Sequence, residues 1–218
     1  MKPKIDYTLY LVTDRELMFA DNIAECVEQA ILGGCTLVQL REKTASSNEF
    51  FQTALQVREV TARLGIPLII NDRADIAVAV NADGLHIGQD DLPYEAARRI
   101  MGHDKIIGVS VRNLQQALAA VDAGADYLGV GAMFSTETKT DANLTSIDEL
   151  KLIRKNIRIP IVVIGGINKK TIPLFHGMGI DGIAVVSAIV SQPDAKRAAQ
   201  EIKTLFQKGE FPCHFQEV

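Results

Sequence analysis

The chain has 218 residues, 47% of them hydrophobic and 23% charged, and a formal net charge of -4. This length and hydrophobic fraction allow one domain with a sizeable core. The acidic balance argues against a nucleic-acid partner, and no long basic run indicates a membrane surface. Small anionic substrates would therefore need locally placed cations.

The cysteines and the amino-terminal segment indicate in which cellular compartment the protein is expected. Cys26, Cys35 and Cys213 are scattered, without the paired spacing of a zinc site or a redox motif, which fits a reducing environment. The start is basic, but its apolar stretch is short and meets Asp14 and Arg15, which is not typical of a signal peptide. No apolar run approaches the length of a transmembrane helix. We therefore expect a cytoplasmic protein.

Eight short apolar runs rich in Val, Ile and Leu recur along the chain, and each is separated from the next by a segment that could hold a helix. Their continuous apolar character indicates burial on both faces, as in a parallel sheet covered by helices. The predicted strands are 8–12, 36–40, 67–71, 84–87, 106–110, 127–131, 161–164 and 182–186.

Apolar residues at three- and four-residue spacing predict amphipathic helices between several of these strands. Glycines such as Gly65 and Gly124 follow two of them and can end a helix before the next strand. The predicted helices are 23–32, 49–64, 114–123, 147–153 and 195–206.

The even alternation predicts a single-domain α/β protein, a (β/α)8 TIM barrel over residues 1–208 followed by a tail over 209–218. The structural alternative is an open doubly wound sheet. The regular rhythm and the lack of a second domain favour the closed barrel.

In such a barrel the active site lies at the carboxyl ends of the strands. The second predicted strand ends with Gln39, Leu40 and Arg41, and its alternation directs Gln39 and Arg41 to one side and Leu40 towards the helices. Lys43 could extend the same cationic edge. A solvated charged loop is the plain alternative, which the inward positions of Gln39 and Arg41 weaken.

Two aspartates follow the next two strands. Asp72 and Asp91 could converge on one hard cation, and magnesium suits a site with few protein carboxylates, several waters and phosphate oxygens. Each aspartate could instead cap a helix. His86, within a strand, is interpreted as a hydrogen-bonded barrel residue rather than a metal ligand.

The loop after the sixth strand carries the hydroxyls of Thr136 and Thr138 and the ammonium of Lys139, groups that can hold phosphate oxygens. The nearby Gly129 and Gly131 lack the third glycine of a dinucleotide fingerprint, so a nicotinamide site is not expected and close packing explains them better.

The residues that follow the last two strands have backbone groups that could bind a phosphate. Gly165 and Gly166 permit close backbone approach after the seventh strand, and Val186 and Ser187 follow the eighth. Loops in these positions form a recurrent phosphate cradle in TIM barrels, with a helix amino terminus adding partial positive charge. Many barrel enzymes share this feature, so it indicates phosphate rather than one substrate.

Five motifs together resemble the thiamine phosphate synthase family over about residues 7–192. The resemblance implies condensation of hydroxymethylpyrimidine pyrophosphate with hydroxyethylthiazole phosphate, through departure of pyrophosphate and capture of a pyrimidine methyl cation by the thiazole nitrogen. The motifs are Gln39-Leu40-Arg41-Glu42-Lys43, Ile70-Asn71-Asp72-Arg73, His86-Ile87-Gly88-Gln89-Asp90-Asp91, Thr136-Glu137-Thr138-Lys139 and Gly165-Gly166-Ile167.

The resemblance also assigns roles by matching position. The pyrophosphate would be held by Arg41, Lys43, Asn71 and Lys139, of which Arg41, Lys43 and Lys139 would assist its departure. Magnesium would be held by Asp72 and Asp91. The pyrimidine region would be lined by Gln39 and Ser110, and the thiazole phosphate would be held by Thr136, Thr138, Gly166, Val186 and Ser187.

This sequence departs from the family pattern at Ala132, Met133 and Ser135, and the resemblance gives no role to Cys213 or His214 in the tail. Two other functions are weighed: a thiazole tautomerase on the same scaffold, which would need no pyrophosphate-metal site, and a noncatalytic sensor of phosphate ligands. The sequence leaves open whether the chain forms a homo-oligomer.

Overall fold

A computed structural model describes residues 2–135 and 144–209, and its strands form one closed parallel barrel in the order β1 to β8. All strands contain buried residues with side chains on both faces of the sheet. The strands are β1 Leu9–Val12, β2 Leu37–Leu40, β3 Leu68–Asn71, β4 Gly84–Ile87, β5 Ile106–Val111, β6 Tyr127–Val130, β7 Ile161–Val163 and β8 Gly182–Val185.

Helices connect the strands on the outside, and 3-10 helices at Arg15–Leu17 and Ile172–Phe175 follow β1 and β7. None of the helices in the described ranges is long and apolar enough to cross a membrane. The α-helices are α1 Ile23–Leu32, α2 Ser47–Arg63, α3 Ala74–Ala79, α4 Tyr94–Met101, α5 Leu114–Ala123, α6 Ile147–Asn156, α7 Ser187–Val190 and α8 Ala195–Gln207.

The predicted closed barrel is confirmed, and the open-sheet alternative is wrong, because β1 pairs with β8 as well as with β2. Each predicted strand overlaps an observed one, with ends that differ by one residue or agree. The sequence periodicity did not define α3, α4 or α7, which have six, eight and four residues and are too short for a clear repeat.

Two apolar layers result from strand alternation. Outward residues such as Leu40 and Leu128 pack beneath the helices. Inward residues fill the barrel itself: Tyr7, Tyr10, Val12, Leu37, Ile69, Ile106, Tyr127, Val162 and Ala184. The polar side chains of the interior therefore lie within a packed core rather than an open pore.

At the amino ends of the strands, three arginine–aspartate pairs repeat at intervals of two strands. We call Arg58–Asp83, Arg98–Asp126 and Arg154–Asp181 the Arg–Asp clamps; their N–O distances are 2.6, 2.8 and 3.0 Å. Each aspartate directly precedes an even-numbered strand and also accepts, at 2.8 Å, a backbone N–H from the odd-numbered strand before it. These donors are Leu68, Ile107 and Ile161.

Thr36 occupies the corresponding place before β2. Its Oγ1 accepts from the backbone N–H of Leu9, the first residue of β1, at 3.0 Å. Side chains thus fasten β1 to β2, β3 to β4, β5 to β6 and β7 to β8, all at the end of the barrel opposite the carboxyl-end loops.

Candidate active site

The cationic residues after β2 are held in place by carboxylates from neighbouring loops. Arg41 donates through Nη1 to Asp14 Oδ2 at 2.7 Å, and its backbone N–H donates to Thr13 Oγ1 at 3.0 Å. Lys43 Nζ lies 2.5 Å from Asp72 Oδ2, with half of its side chain exposed. The segment is therefore anchored at both cations and is not a freely solvated loop.

A second ion pair supports this segment from behind. The Glu42 side chain is only 2% exposed and pairs with Arg15, whose Nη2 and Nε lie 3.0 and 3.2 Å from its oxygens. Arg15 also donates to Thr53 Oγ1 on α2 at 3.2 Å. Because Glu42 lies between Arg41 and Lys43 in sequence, these contacts fix the backbone that carries both cations.

Asp72 and Asp91 lie together at the carboxyl ends of β3 and β4. The Asp72 backbone N–H donates to His86 O at 2.9 Å, and Asp91 Oδ2 accepts from Gly88 N at 2.7 Å. Burial, reinforced by the hydrogen-bonded neighbour Asp72, raises the pKa of Asp91 above its ordinary value. The Asp72 carboxylate is thus close enough to disfavour the charged form of Asp91.

Neither aspartate caps a helix. The residues at the starts of α3 and α4 are Arg73 and Pro93, and neither makes a side-chain capping hydrogen bond. Asp72 has a positive φ of 62°, an uncommon backbone conformation for a residue other than glycine. The helix-cap interpretation therefore does not account for these two side chains.

The chemistry of this carboxylate pair fits a divalent cation. Residues 2–135 and 144–209 contain no group of three or more His, Cys, Asp or Glu side chains arranged to hold a metal ion. Magnesium characteristically takes only one or two protein carboxylates together with water and substrate phosphate. A divalent charge would also offset the burial and the neighbouring Asp72 carboxylate, which raise the Asp91 pKa.

Inside the barrel, five side chains form a continuous hydrogen-bonded series, which we call the interior chain. Gln39 Nε2 donates to Tyr10 OH at 2.7 Å, and Tyr10 OH lies 2.8 Å from Tyr127 OH. Tyr127 OH lies 2.9 Å from His86 Nδ1, and His86 Nε2 lies 2.8 Å from Ser110 Oγ. The two residues expected to line the pyrimidine region, Gln39 and Ser110, are its two ends.

Sequence reasoning did not identify Tyr10 or Tyr127 as part of the site. Both occupy inward positions of their strands, which was the available signal, but a tyrosine at such a position usually reads as core packing. The contacts of His86 with Tyr127 and Ser110 agree with its prediction as a hydrogen-bonded barrel residue.

The glycines after β7 allow close contact with the loop after β6. A Cβ atom on Gly165 would lie 2.6 Å from Ala132 Cβ, and one on Gly166 would lie 2.7 Å from Phe134 Cβ. Both glycines have positive φ, 95° and 68°. Gly166 O accepts from Thr171 Oγ1 at 3.0 Å, so this turn is tied to the residue that precedes the 3-10 helix Ile172–Phe175.

Other expected site residues fall at the same end of the barrel. Asn71 is the last residue of β3 and is buried. Val186 and Ser187 mark the start of α7, where the first backbone N–H groups have no acceptor within the helix. Thr136, Thr138 and Lys139, and the tail residues Cys213 and His214, lie outside the described residues.

The glycines at the carboxyl end of β6 lie against neighbouring parts of the protein. A Cβ on Gly129 would lie 3.1 Å from His86 Cε1, and one on Gly131 would lie 2.1 Å from Ile164 O. These contacts agree with the close packing predicted for this end of the barrel.

The closed barrel, with charged side chains and glycine turns at the carboxyl ends of its strands, places the chain among TIM-barrel proteins with a strand-end site. The sequence model described as thiamine monophosphate synthase matches residues 9–189. The chain belongs to this family.

Curated relatives and a solved structure agree over nearly the whole chain. The thiamine-phosphate synthase of Clostridium beijerinckii is 58% identical over 208 residues, which cover 95% of this chain and 100% of that protein. The Ruminiclostridium cellulolyticum thiamine-phosphate synthase is 57% identical, with 94% and 98% covered. The thiamine phosphate pyrophosphorylase structure from Pyrococcus furiosus has a TM-score of 0.87 and 37% identity, covering 94% of this chain and 98% of that one.

Proposed function

We propose that this chain condenses hydroxymethylpyrimidine pyrophosphate with hydroxyethylthiazole phosphate to give thiamine phosphate and pyrophosphate. The observation that carries the proposal is the Lys43–Asp72–Asp91 cluster at the carboxyl ends of three adjacent strands. A cation beside two neighbouring carboxylates suits a pyrophosphate bound together with a divalent metal ion.

Asp72 and Asp91 would hold magnesium, which when bound would neutralise pyrophosphate charge as that group departs. Lys43 would move from its ion pair with Asp72 to the pyrophosphate, or bridge both. Arg41, already oriented by Asp14, would bind other pyrophosphate oxygens, and Asn71 and Lys139 would complete this side of the site. Catalysis would then rest mainly on positioning and electrostatic stabilisation of the leaving anion.

The second substrate would bind on the other side of the barrel mouth. Backbone groups at Gly166, Val186 and Ser187, with the hydroxyls of Thr136 and Thr138, would hold the thiazole phosphate. The close fit of Gly166 against Phe134 supports this placement, since it brings the loops after β6 and β7 together. Gln39 and Ser110 would contact the pyrimidine between the two anionic groups, so that its methyl carbon faces the thiazole nitrogen.

We place this reaction in the cytoplasm. Cys26 and Cys35 are buried free thiols, and burial raises the pKa of both above the ordinary value for cysteine. Buried, protonated thiols are inert packing groups that need no oxidising environment.

Two competing functions make different demands on these residues. A thiazole tautomerase would use the phosphate-binding turn but would not need Lys43, Asp72 and Asp91. A sensor would bind both ligands without releasing pyrophosphate. The family membership and the carboxylate cluster favour the synthase over both.

Turnover of the purified protein with both substrates and magnesium tests the proposal, with thiamine phosphate and pyrophosphate measured as products. Asp72→Asn and Asp91→Asn are each expected to lower kcat/KM by about a hundredfold or more, because each removes a charge from the metal-pyrophosphate unit. Asp90→Asn, at an exposed neighbouring position, is the matched control and should retain parental activity.

Binding of both substrates without product formation would support the sensor and contradict the synthase. Parental activity of both aspartate variants at limiting magnesium would instead contradict the metal assignment while leaving the reaction itself in place.

A further inference from the structure

The interior chain has an internal direction that its hydrogen-bonding groups determine. The amide nitrogen of Gln39 can only donate, so Tyr10 OH accepts from it. In the described part of the protein, the remaining polar contact of the Tyr10 hydroxyl is Tyr127 OH. The single hydrogen of Tyr10 must therefore be donated to Tyr127.

The same hydrogen-bonding argument applies to Tyr127 and His86, the next two residues of the interior chain. Because Tyr127 accepts from Tyr10, its own hydrogen is available for His86 Nδ1. Nδ1 is then an acceptor, and a neutral imidazole carries its hydrogen on Nε2, which donates to Ser110 Oγ. The hydroxyl hydrogen of Ser110 consequently points away from His86.

The reverse direction is disfavoured by burial. Tyr10 and Tyr127 are 1% and 0% exposed, so a Tyr10 hydrogen without an acceptor would be an unpaired donor in the core. A hydrogen on His86 Nδ1 would meet the same obstacle, because Tyr127 OH would then accept from both Tyr10 and His86 and its own buried hydrogen would have no acceptor in this series.

We propose that Tyr127 is a positioning residue that fixes His86 as the Nε2–H tautomer and thereby directs the Ser110 hydroxyl hydrogen into the pyrimidine subsite. Ser110 would then act as a donor towards an acceptor atom of the heterocycle, and Gln39, bound to Tyr10 through Nε2, would present its Oε1 as an acceptor. This inference rests on the proposed placement of the pyrimidine between Gln39 and Ser110.

Two glycines make space for the rings of this series. A Cβ on Gly108 would lie 2.1 Å from Tyr127 Cζ and 2.5 Å from its hydroxyl oxygen, and a Cβ on Gly129 would lie 3.1 Å from His86 Cε1. Both glycines occupy inward positions of strands adjacent in the barrel. The absence of a side chain at Gly108 and at Gly129 thus leaves space for the rings of Tyr127 and His86.

The chemistry of the phenols is consistent with this role. Burial raises the pKa of Tyr10 and of Tyr127 above the ordinary value for tyrosine. Both therefore remain neutral hydroxyls that donate and accept at the same time.

The tautomer can be measured in the unmodified protein by long-range proton–nitrogen NMR with labelled histidine. The chain has four histidines, and the His86 signals can be assigned by their loss in a His86→Gln variant. We expect a bare Nδ1 and a protonated Nε2 at neutral pH. An Nδ1–H tautomer or an imidazolium would overturn the proposal.

The functional consequence is tested with Tyr127→Phe, which removes the hydroxyl and keeps the ring. We expect the His86 tautomer preference to be lost and the KM for the pyrimidine pyrophosphate to rise about tenfold, the factor that one hydrogen bond represents. The KM for the thiazole phosphate should stay within about twofold of the parental value.

Tyr94→Phe is the matched control, because Tyr94 on α4 also has a bonded hydroxyl, donated to Gly124 O outside the barrel interior. It should leave both KM values unchanged. Equal changes in both KM values, or no change, in a folded Tyr127→Phe protein would indicate a purely structural hydroxyl.

A double-mutant cycle with Ser110→Ala separates failure of this inference from failure of the proposed subsite. If Tyr127 acts through Ser110, the effects of the two substitutions on KM should be strongly non-additive. A parental KM in Ser110→Ala would contradict the pyrimidine placement itself. A raised KM in Ser110→Ala with a parental KM in Tyr127→Phe would contradict only the role of Tyr127.

Discussion

Asp91 is placed where its negative charge is unfavourable in the protein alone. Its surroundings combine partial burial with the nearby Asp72 carboxylate, and both raise its pKa. Lys43 offsets part of this cost through its pair with Asp72. Like charges that are kept close at the expense of stability are characteristic of functional sites, which supports the proposed role of this cluster.

This arrangement predicts a pH-dependent stability of the metal-free protein. Because the folded-state pKa of Asp91 is raised, its contribution to stability is present below the ordinary aspartate pKa and is lost as pH rises through the raised value. Asp91→Asn should therefore have a higher urea midpoint than the parent at neutral pH. The difference should shrink as the pH falls towards about 3.9, the ordinary aspartate value.

Urea titrations of both proteins over this pH range, without metal, measure the effect, and Asp90→Asn serves again as the control. Magnesium with pyrophosphate should raise the midpoint of the parent and affect Asp91→Asn much less. A variant less stable than the parent at neutral pH would contradict the proposed repulsion.

The site residues differ in how visible they are in the sequence. Asp72 and Asp91 could be proposed from the sequence because charged residues shortly after apolar strands stand out. Asp14 and Tyr127 could not be proposed in this way, since their contacts join residues that are distant in sequence: Asp14 reaches Arg41 from the loop after β1, and Tyr127 reaches His86 over 41 positions of sequence.

At the scale of elements, the Arg–Asp clamps show how helices set the strand register. In each clamp an aspartate carboxylate accepts both a backbone N–H of the preceding strand and a guanidinium from the helix before that strand. One side chain thereby joins a helix and two neighbouring strands. Charge-assisted bonds of this kind are about twice as strong as neutral ones.

The clamps are expected to contribute unequally. Arg98 and Asp126 are the most enclosed pair, with side chains 12% and 14% exposed, and Arg98 also donates to the carbonyls of Gly102 and Lys105 at 2.8 and 2.7 Å. Arg98→Ala should lower the free energy of unfolding by about 3 kcal/mol. Arg58→Ala, in a more exposed clamp, should cost about 1 kcal/mol.

Chemical denaturation of the two variants gives both values, and kcat per folded molecule should remain parental because the clamps lie at the amino ends of the strands. An equal loss of stability would show that enclosure does not set the strength of a clamp. A selective loss of kcat would contradict the separation of the clamps from the site.

Element prediction succeeded where a pattern was long enough to be measured. Helices α1 and α5 have ten residues each with regular apolar spacing, and both match their predicted bounds. Helix α3 has six residues and forms because Ile76 and Ala77 are buried against the barrel, a tertiary contact that no local repeat reveals. The pairing of β1 with β8 could be predicted only because all eight strands are recognisable in the sequence.

At the scale of the whole molecule, the two ends of the barrel carry different sets of charged side chains. The amino ends of the strands carry the clamps, while the carboxyl ends carry Arg41, Lys43 and the aspartate pair. Substitutions at one end should therefore leave the other largely unaffected, which is typical of this architecture.

The two-strand spacing of the clamps also bears on the assembly of the chain, because each clamp joins strands within one pair and a cut between pairs leaves these contacts between strands intact. A break between Gly102 and His103, in an exposed turn, gives halves that each keep four strands. The first half retains the strand contacts of Thr36 and Asp83, and the second half retains those of Asp126 and Asp181.

We expect the two halves, produced separately and mixed, to reassemble and recover turnover. Because Arg98 lies in the first half and Asp126 in the second, Arg98→Ala should weaken their association, as measured by titration calorimetry, whereas Arg58→Ala should not.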